Sequence, residues 1–214
     1  MAQDDGLYPA FPKEPVPDEA DNAERLSAAE QLELLATKIR VCRNCDLALN
    51  RKQAVPGEGN PHATIMFVGE APGATEDETG RPFVGASGRF LDSMLADIGL
   101  QRADVFIANI NRCRPPENRD PNSTEIEACQ PWMRAQIHVI KPKVICTLGR
   151  FAMNTLIDPK LKITRDHGIP IEKGEILFIP LFHPAAALHR ESLRETLKED
   201  MRQVRVLLEE RGLW

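Results

Sequence analysis

The carboxylates of one glycine-rich loop are the first candidates for chemistry in this 214-residue chain. Residues 69–85 read GEAPGATEDETGRPFVG and follow an apolar run at residues 64–68. A glycine-rich loop after a strand often cradles phosphate, but this loop lacks the Gly-Lys-Ser/Thr ending and the G-x-G-x-x-G spacing of phosphate-binding loops. Its carboxylates, Glu70 and Glu76 among them, would also repel phosphate. Carboxylates in such a loop instead suit the orientation of a water molecule or the stabilisation of developing positive charge.

Three other side chains have residue types that suit a flat ligand. Phe83, between two apolar neighbours in the loop, fits either a stacking platform or a core anchor. Asn109 ends an apolar run, where its amide could read a base edge through paired hydrogen bonds or form a turn. His183 precedes a proline after another apolar run, a position that suits a structural or a functional histidine.

The cysteines form a second set of candidate ligands. Cys42 and Cys45 have the two-residue separation that is typical of metal ligands, and Cys113 and Cys129 follow farther along the chain. Four thiolates suit zinc or an iron–sulfur cluster, and spacing neither chooses between them nor excludes buried thiols. Cys146 lies in an apolar run and is predicted to pack in the core. Five cysteines, an odd number, in a chain without an export signal argue against a disulfide framework.

Alternating strands and helices are predicted to position these residues. Apolar, β-rich runs predict strands at residues 64–68, 105–109, 144–148 and 176–181. Apolar faces, with capping boxes that begin at Ser27 and Thr124, predict helices at residues 27–42, 87–99, 124–140, 150–157 and 191–210. This order predicts a parallel sheet covered on both faces. Ligands bind at the carboxyl ends of such strands, where the loop, Asn109 and His183 all fall.

Composition and charge limit the class of protein. We expect an acidic, proline-rich and mostly disordered tail at residues 1–25, and a single domain at residues 26–214. The net charge of −5 allows nucleic-acid binding without indicating it. No apolar stretch approaches the ~20 residues that span a bilayer, and the first residues do not resemble a secretory signal, so a cytoplasmic protein is expected.

Together these segments resemble family 4 uracil-DNA glycosylases, the iron–sulfur branch of the uracil-DNA glycosylase superfamily. The resemblance covers about residues 30–208. It depends on the cysteine pair, the whole glycine-rich loop, GEGNP at residues 57–61, CRPPENRDP at residues 113–121, Cys129, and FHPA at residues 182–185. The long loop in register with four cysteines makes the match highly specific.

The resemblance implies an α/β fold, a three-layer α/β/α sandwich with a four-stranded parallel sheet. It implies that a monomer hydrolyses the N-glycosidic bond of deoxyuridine in single- or double-stranded DNA, which leaves an abasic site. It also implies a structural [4Fe-4S] cluster, with no metal in the chemistry. The cluster's ligands would be Cys42, Cys45, Cys113 and Cys129.

The resemblance further assigns residues that bind the base. By motif position, Phe83 stacks on uracil, and Asn109 hydrogen-bonds its pairing edge and so distinguishes uracil from cytosine. His183 donates to a uracil carbonyl as negative charge develops on the leaving base. Ala71 matches a position that shapes the pocket.

The resemblance assigns the remaining roles to carboxylates, an amide and a DNA contact. Glu70, Glu76 and Asn118 match positions tied to catalysis, and Glu76 is expected to orient the water or to balance the charge on the sugar. The stretch after His-Pro departs from the pattern of the family. Leu188 is nevertheless expected to enter the duplex as a wedge, and Arg190 to contact a phosphate.

Three alternatives remain open at the level of sequence. The first is an iron–sulfur module that binds DNA with weak or no catalysis. The second is a zinc protein with four cysteine ligands and a nucleotide-binding α/β domain. The third is a glycosylase of the same fold that also acts on hypoxanthine or xanthine.

Overall fold

The computed structural model describes residues 26–188 and 190–214, so the predicted acidic tail lies outside the described residues. A short 3-10 helix covers Pro116–Asn118. The α-helices within the described ranges are α1 (Ala28–Val41), α2 (Leu47–Asn50), α3 (Ala74–Thr79), α4 (Ala86–Asp97), α5 (Ser123–Ile140), α6 (Arg150–Leu156), α7 (Ile163–Asp166), α8 (Pro184–Ala187) and α9 (Glu191–Glu210). None of these helices is long and apolar enough to cross a membrane.

One mixed sheet of six strands organises the described part of the chain. Its strands are β1 (Glu58–Gly59), β2 (Ile65–Gly69), β3 (Phe106–Asn109), β4 (Val144–Leu148), β5 (Ile171–Lys173) and β6 (Ile176–Leu181). The strand order is β1-β3-β2-β4-β6-β5. The four central strands are parallel, and the edge strands β1 and β5 pair antiparallel with β3 and β6.

The predicted four-stranded parallel sheet therefore describes only the centre of the observed sheet. The four predicted strands are present and mutually parallel, but the whole sheet is mixed. The missed edge strands have two and three residues, with the sequences EG and IEK. Such short polar segments have no β pattern of their own, and they become strands because a neighbouring strand edge offers hydrogen-bonding partners.

Helices cover both faces of the sheet, as the alternation of strands and helices predicts. Ile65 and Phe67 of β2 belong to a core that includes apolar residues of α4 and α9. Met66 and Val68 belong to a second core that includes residues of α5 and α6. Successive side chains of a strand point to opposite faces, so one buried strand contributes to both cores.

Capping boxes begin two of the long helices. At α1 the predicted box is confirmed, because Ser27 Oγ accepts from Glu30 N–H and Ser27 N–H donates to the Glu30 carboxylate. At α5 the prediction of Thr124 is wrong. Asn122 Oδ1 accepts from Glu125 N–H at 2.8 Å, and the Glu125 carboxylate accepts from Asn122 N–H at 2.9 Å. Asn caps a helix at least as well as Thr, so the sequence offers two boxes in competing registers.

Candidate active site

A cleft of about 400 Å³ lies where the central strands end at their carboxyl termini. Glu70 directly follows β2, Asn109 is the last residue of β3, and His183 lies two residues after β6. The cleft is lined by all seven residues predicted for catalysis or substrate binding, namely Glu70, Ala71, Glu76, Phe83, Asn109, Asn118 and His183. The topology thus brings together segments that are more than a hundred residues apart.

Asn109 and Phe83 meet across a glycine. A Cβ atom on Gly69 would lie 2.5 Å from Asn109 Oδ1 and 2.5 Å from Phe83 Cζ, so only glycine leaves room for both side chains. Asn109 is 2% exposed, and its Oδ1 is buried with no hydrogen-bond partner among the described residues. A buried oxygen of this kind is costly unless a ligand supplies a donor. Phe83 lines the cleft and also belongs to a core, so it is a core anchor whose role as a stacking platform stays a prediction.

The backbone around Phe83 is held by a carboxylate and a guanidinium. Phe83 has a left-handed φ of 51°, which is rare outside glycine. Glu76 Oε1 accepts from Val84 N–H at 2.9 Å and from Gly85 N–H at 2.8 Å. Arg102 donates to the carbonyl of Phe83 at 3.0 Å. These bonds fix the ring against the cleft, and they occupy one oxygen of a carboxylate that was predicted only for catalysis.

His183 is held as one neutral tautomer. It caps α8, and its Nδ1 accepts from Ala185 N–H at 3.1 Å. Burial lowers the pKa of His183 to about 4, although the charge of Glu76 acts in the opposite direction. The ring is therefore neutral at pH 7 with its proton on Nε2. Its centroid lies 5.6 Å from that of Phe83, so this N–H is a donor beside the aromatic ring.

Glu70 has a different environment from Glu76. Burial, helped by the charge of Asp120 and opposed by Arg150, raises the pKa of Glu70 to about 7. Arg150 Nη2 also forms an ion pair with Asp120 Oδ2 at 2.5 Å. No side-chain hydrogen bond holds the Glu70 carboxylate within the described part of the chain. A glutamate that titrates near neutral pH suits proton transfer.

Four residues of the segment 114–120 line the cleft, namely Pro115, Asn118, Arg119 and Asp120. Arg114 Nε donates to Asn118 Oδ1 at 2.8 Å, which leaves the Nδ2 donors of Asn118 for a ligand. Glu117 and Asn118 both have a left-handed φ of 55°, an arrangement that concentrates at functional sites. Arg119 and Asp120 also line the cleft and were not predicted individually. Their signal was present, because both lie within CRPPENRDP.

Comparison with known proteins decides the family. A family model described as the uracil DNA glycosylase superfamily matches residues 56–205, more than half of the chain. The chain belongs to this superfamily. The Type-4 uracil-DNA glycosylase of Sulfurisphaera tokodaii is 46% identical over 187 residues, which cover 83% of this chain and 85% of that protein. The corresponding proteins of Saccharolobus solfataricus and Thermotoga maritima are 45% and 42% identical, over 84% and 86% of this chain and 87% and 97% of their own.

Four cysteines of this superfamily member line a second, small cavity. Cys42 follows α1, Cys45 precedes α2, Cys113 follows β3, and Cys129 lies on α5. All four line the same cavity, beside Arg51, Arg112 and Trp132. The described residues contain no group of three His, Cys, Asp or Glu side chains that meets as a metal-ion site in the present arrangement. Cys146 is fully buried in a core, as predicted.

The surroundings of these cysteines fit thiolate ligands. N–H groups point at three of the sulfurs: Arg51 Nη1 at Cys113 (2.9 Å), the Arg112 backbone at Cys129 (3.3 Å), and Trp132 Nε1 at Cys42 (3.4 Å). Such donors stabilise sulfur that carries negative charge. Burial raises the pKa of Cys129 to about 11, although the charge and the backbone N–H of Arg112 lower it. A bound cation would favour the ionised thiolate.

The residues predicted to contact DNA lie outside the cleft. Leu188 is half-buried and packs against the core beneath α9, and Arg190 is exposed just before that helix. Neither residue lines the cleft. Their roles as a wedge and a phosphate contact stay predictions.

Proposed function

We propose that this protein is a Type-4 uracil-DNA glycosylase, a hydrolase that cleaves the N-glycosidic bond of deoxyuridine in DNA and leaves an abasic site. The observation that carries the proposal is the buried Asn109 Oδ1, which has no hydrogen-bond partner among the described residues and lies beside the Phe83 ring in the cleft. Membership of the superfamily and relatives named Type-4 uracil-DNA glycosylases support the same activity.

Recognition of the base follows from these two side chains. A nucleotide that is flipped out of the stack places its base on Phe83, in a pocket shaped by Ala71. Uracil presents an N3–H donor to Asn109 Oδ1, whereas cytosine presents an acceptor at the same position. The mismatch leaves buried polar groups unpaired, at a cost of roughly 1–3 kcal/mol per group. The pocket therefore favours uracil.

The chemistry divides between the leaving base and the sugar. As the glycosidic bond breaks, negative charge develops on a uracil carbonyl, and neutral His183 donates Nε2–H to that oxygen. Positive charge develops on the sugar, where the negative charge of Glu76 balances it. Glu70, with a pKa near 7, accepts a proton from the attacking water. The Nδ2 donors of Asn118 orient that water.

The cysteines, the DNA contacts and the domain organisation complete the proposal. Cys42, Cys45, Cys113 and Cys129 hold a [4Fe-4S] cluster, which ties α1, β3 and α5 together and supplies no step of the hydrolysis. Residues 26–214 form a single domain that acts as a monomer. Leu188 and Arg190 engage the DNA beside the flipped nucleotide.

An oligonucleotide assay tests this function. A labelled strand with one uracil, single-stranded or in a duplex, is incubated with the protein in EDTA and then treated with hot alkali. We expect cleavage at uracil and none in a matched thymine strand. A folded sample that leaves the uracil strand intact would refute the proposed substrate, and hypoxanthine and xanthine strands would be tested next.

A further inference from the structure

A buried arginine beside the four cysteines lacks a carboxylate partner. Arg112 is 1% exposed, and no ion pair within residues 26–188 and 190–214 joins it to an Asp or Glu. Its Nη2 donates to Gln136 Oε1 at 2.7 Å, while its Nε and Nη1 are buried with no hydrogen-bond partner in the described structure. Arginine stays charged in proteins, and burying an unpaired charge is strongly unfavourable. The fold therefore buries the positive charge of Arg112 at a place where only a nearby anion can stabilise it.

The negative groups that act on Arg112 are cysteine sulfurs. Arg112 lines the same small cavity as Cys113 and Cys129, and its own backbone N–H points at the sulfur of Cys129 at 3.3 Å. Gln136, its one side-chain partner, is neutral and donates in turn to the carbonyl of Pro56 at 2.7 Å. The positive charge of Arg112 is thus left to face the thiolates.

Arg51 supplies a second cation at the same site. Its Nη1 donates to Cys113 Sγ at 2.9 Å, and its Nη2 donates to the carbonyls of Arg40 and Cys42 at 2.9 and 2.8 Å. These partners are a sulfur and two neutral carbonyls, so this charge is also directed at the cysteines. In contrast, Arg43 lies between two of the cysteines in sequence but is exposed to solvent.

We infer that Arg112 and Arg51 balance the negative charge of the cysteine-bound cluster and raise its reduction potential. The inference rests on the proposed [4Fe-4S] cluster. Reduction adds one electron to a centre that is already negative, and a nearby positive charge favours that state. The effect is greatest for a charge shielded from water, because the protein interior screens weakly. We therefore expect Arg112 to contribute more than Arg51, and exposed Arg43 least.

Voltammetry of the cluster-bearing full chain tests the inference. The variants are Arg112→Gln, Arg51→Gln and, as a control, Arg43→Gln, each with iron content, visible absorbance and uracil excision measured in parallel. For Arg112→Gln we expect a lower reduction potential, so that at a fixed potential the ratio of reduced to oxidised cluster falls at least tenfold. A tenfold change corresponds to about 59 mV for one electron. Arg51→Gln should shift the potential in the same direction by less. Arg112→Lys, which keeps the charge, should have a reduction potential close to that of the wild type.

The outcomes separate this inference from the proposed function. Equal potentials for wild type, Arg112→Gln and Arg51→Gln would overturn the inference while leaving the glycosylase and the cluster in place. A colourless, iron-free wild type that excises uracil would overturn the cluster, and this inference with it, but not the glycosylase. If Arg112→Gln does not fold, the reduction potential of the Arg51→Gln variant tests the inference instead.

Discussion

Replacing Glu70 with glutamine should make the protein more stable at alkaline pH and less active. The half-buried Glu70 carboxyl has a pKa of about 7 because burial and Asp120 disfavour its charged form. Above pH 7 the folded protein must carry this charge at a cost. Glutamine keeps the shape of the side chain without the charge, so Glu70→Gln removes that cost together with the proposed base.

The sign and size of the effect follow from proton linkage. Between pH 4.5 and about 7 the unfolded chain ionises Glu70 while the folded protein keeps it protonated. The folded state then binds more protons, so its stability falls as the pH rises. The full difference corresponds to roughly 3 kcal/mol, at about 1.4 kcal/mol for each pH unit. Solvent screening of a half-buried group reduces this to about 1–2 kcal/mol.

Urea denaturation at pH 5 and pH 8 measures this difference. Glu70→Gln should raise the free energy of unfolding by about 1–2 kcal/mol at pH 8 and by clearly less at pH 5. The matched control is Glu127→Gln on the exposed face of α5, which should show no such pH dependence. A Glu70→Gln variant that is destabilised at pH 8, or equally affected at both pH values, would refute the electrostatic reasoning. Excision that persists at the wild-type rate would separately refute the assignment of Glu70 as the base.

Four further predictions concern the cleft and the cysteines. Asn109→Ala should slow single-turnover uracil excision roughly 5- to 150-fold, from the loss of about 1–3 kcal/mol, and full activity would rule out its contact with the base. His183→Ala should slow excision by about 100-fold with the visible absorbance unchanged, and a parallel loss of absorbance would point to a structural defect instead. Gly69→Ala should reduce excision by displacing Asn109 and Phe83, whereas wild-type rates would show that the two side chains can move apart without cost. Cys129→Ser should lose iron, colour and thermal stability together, and retention of iron by this variant would exclude Cys129 as a ligand.

The candidate site was predictable because its signals are local in sequence. The apolar run at residues 64–68 and the loop that follows it identify β2 and Glu70, and the alternation of strands with helices places Asn109 and His183 at the same edge of the sheet. The described structure confirms that convergence in one cleft. The edge strands were missed because they depend on hydrogen-bonding partners in distant strands. The Asn122 cap was missed because the sequence offers a competing box at Thr124.

The sequence by itself determined the central strands, the glycine-rich loop with its carboxylates and the spacing of the cysteines, since each of these depends on residues close together in the chain. Only the tertiary structure decided the hydrogen-bond partners and the protonation states of the site residues. It turned one oxygen of Glu76 toward the backbone of Val84 and Gly85, and it brought Arg51 to Cys113, 62 residues along the chain. It also set the protonation of Glu70 and His183. Burial and long-range contacts decide pKa values and hydrogen-bond partners, and both arise only when distant segments pack together.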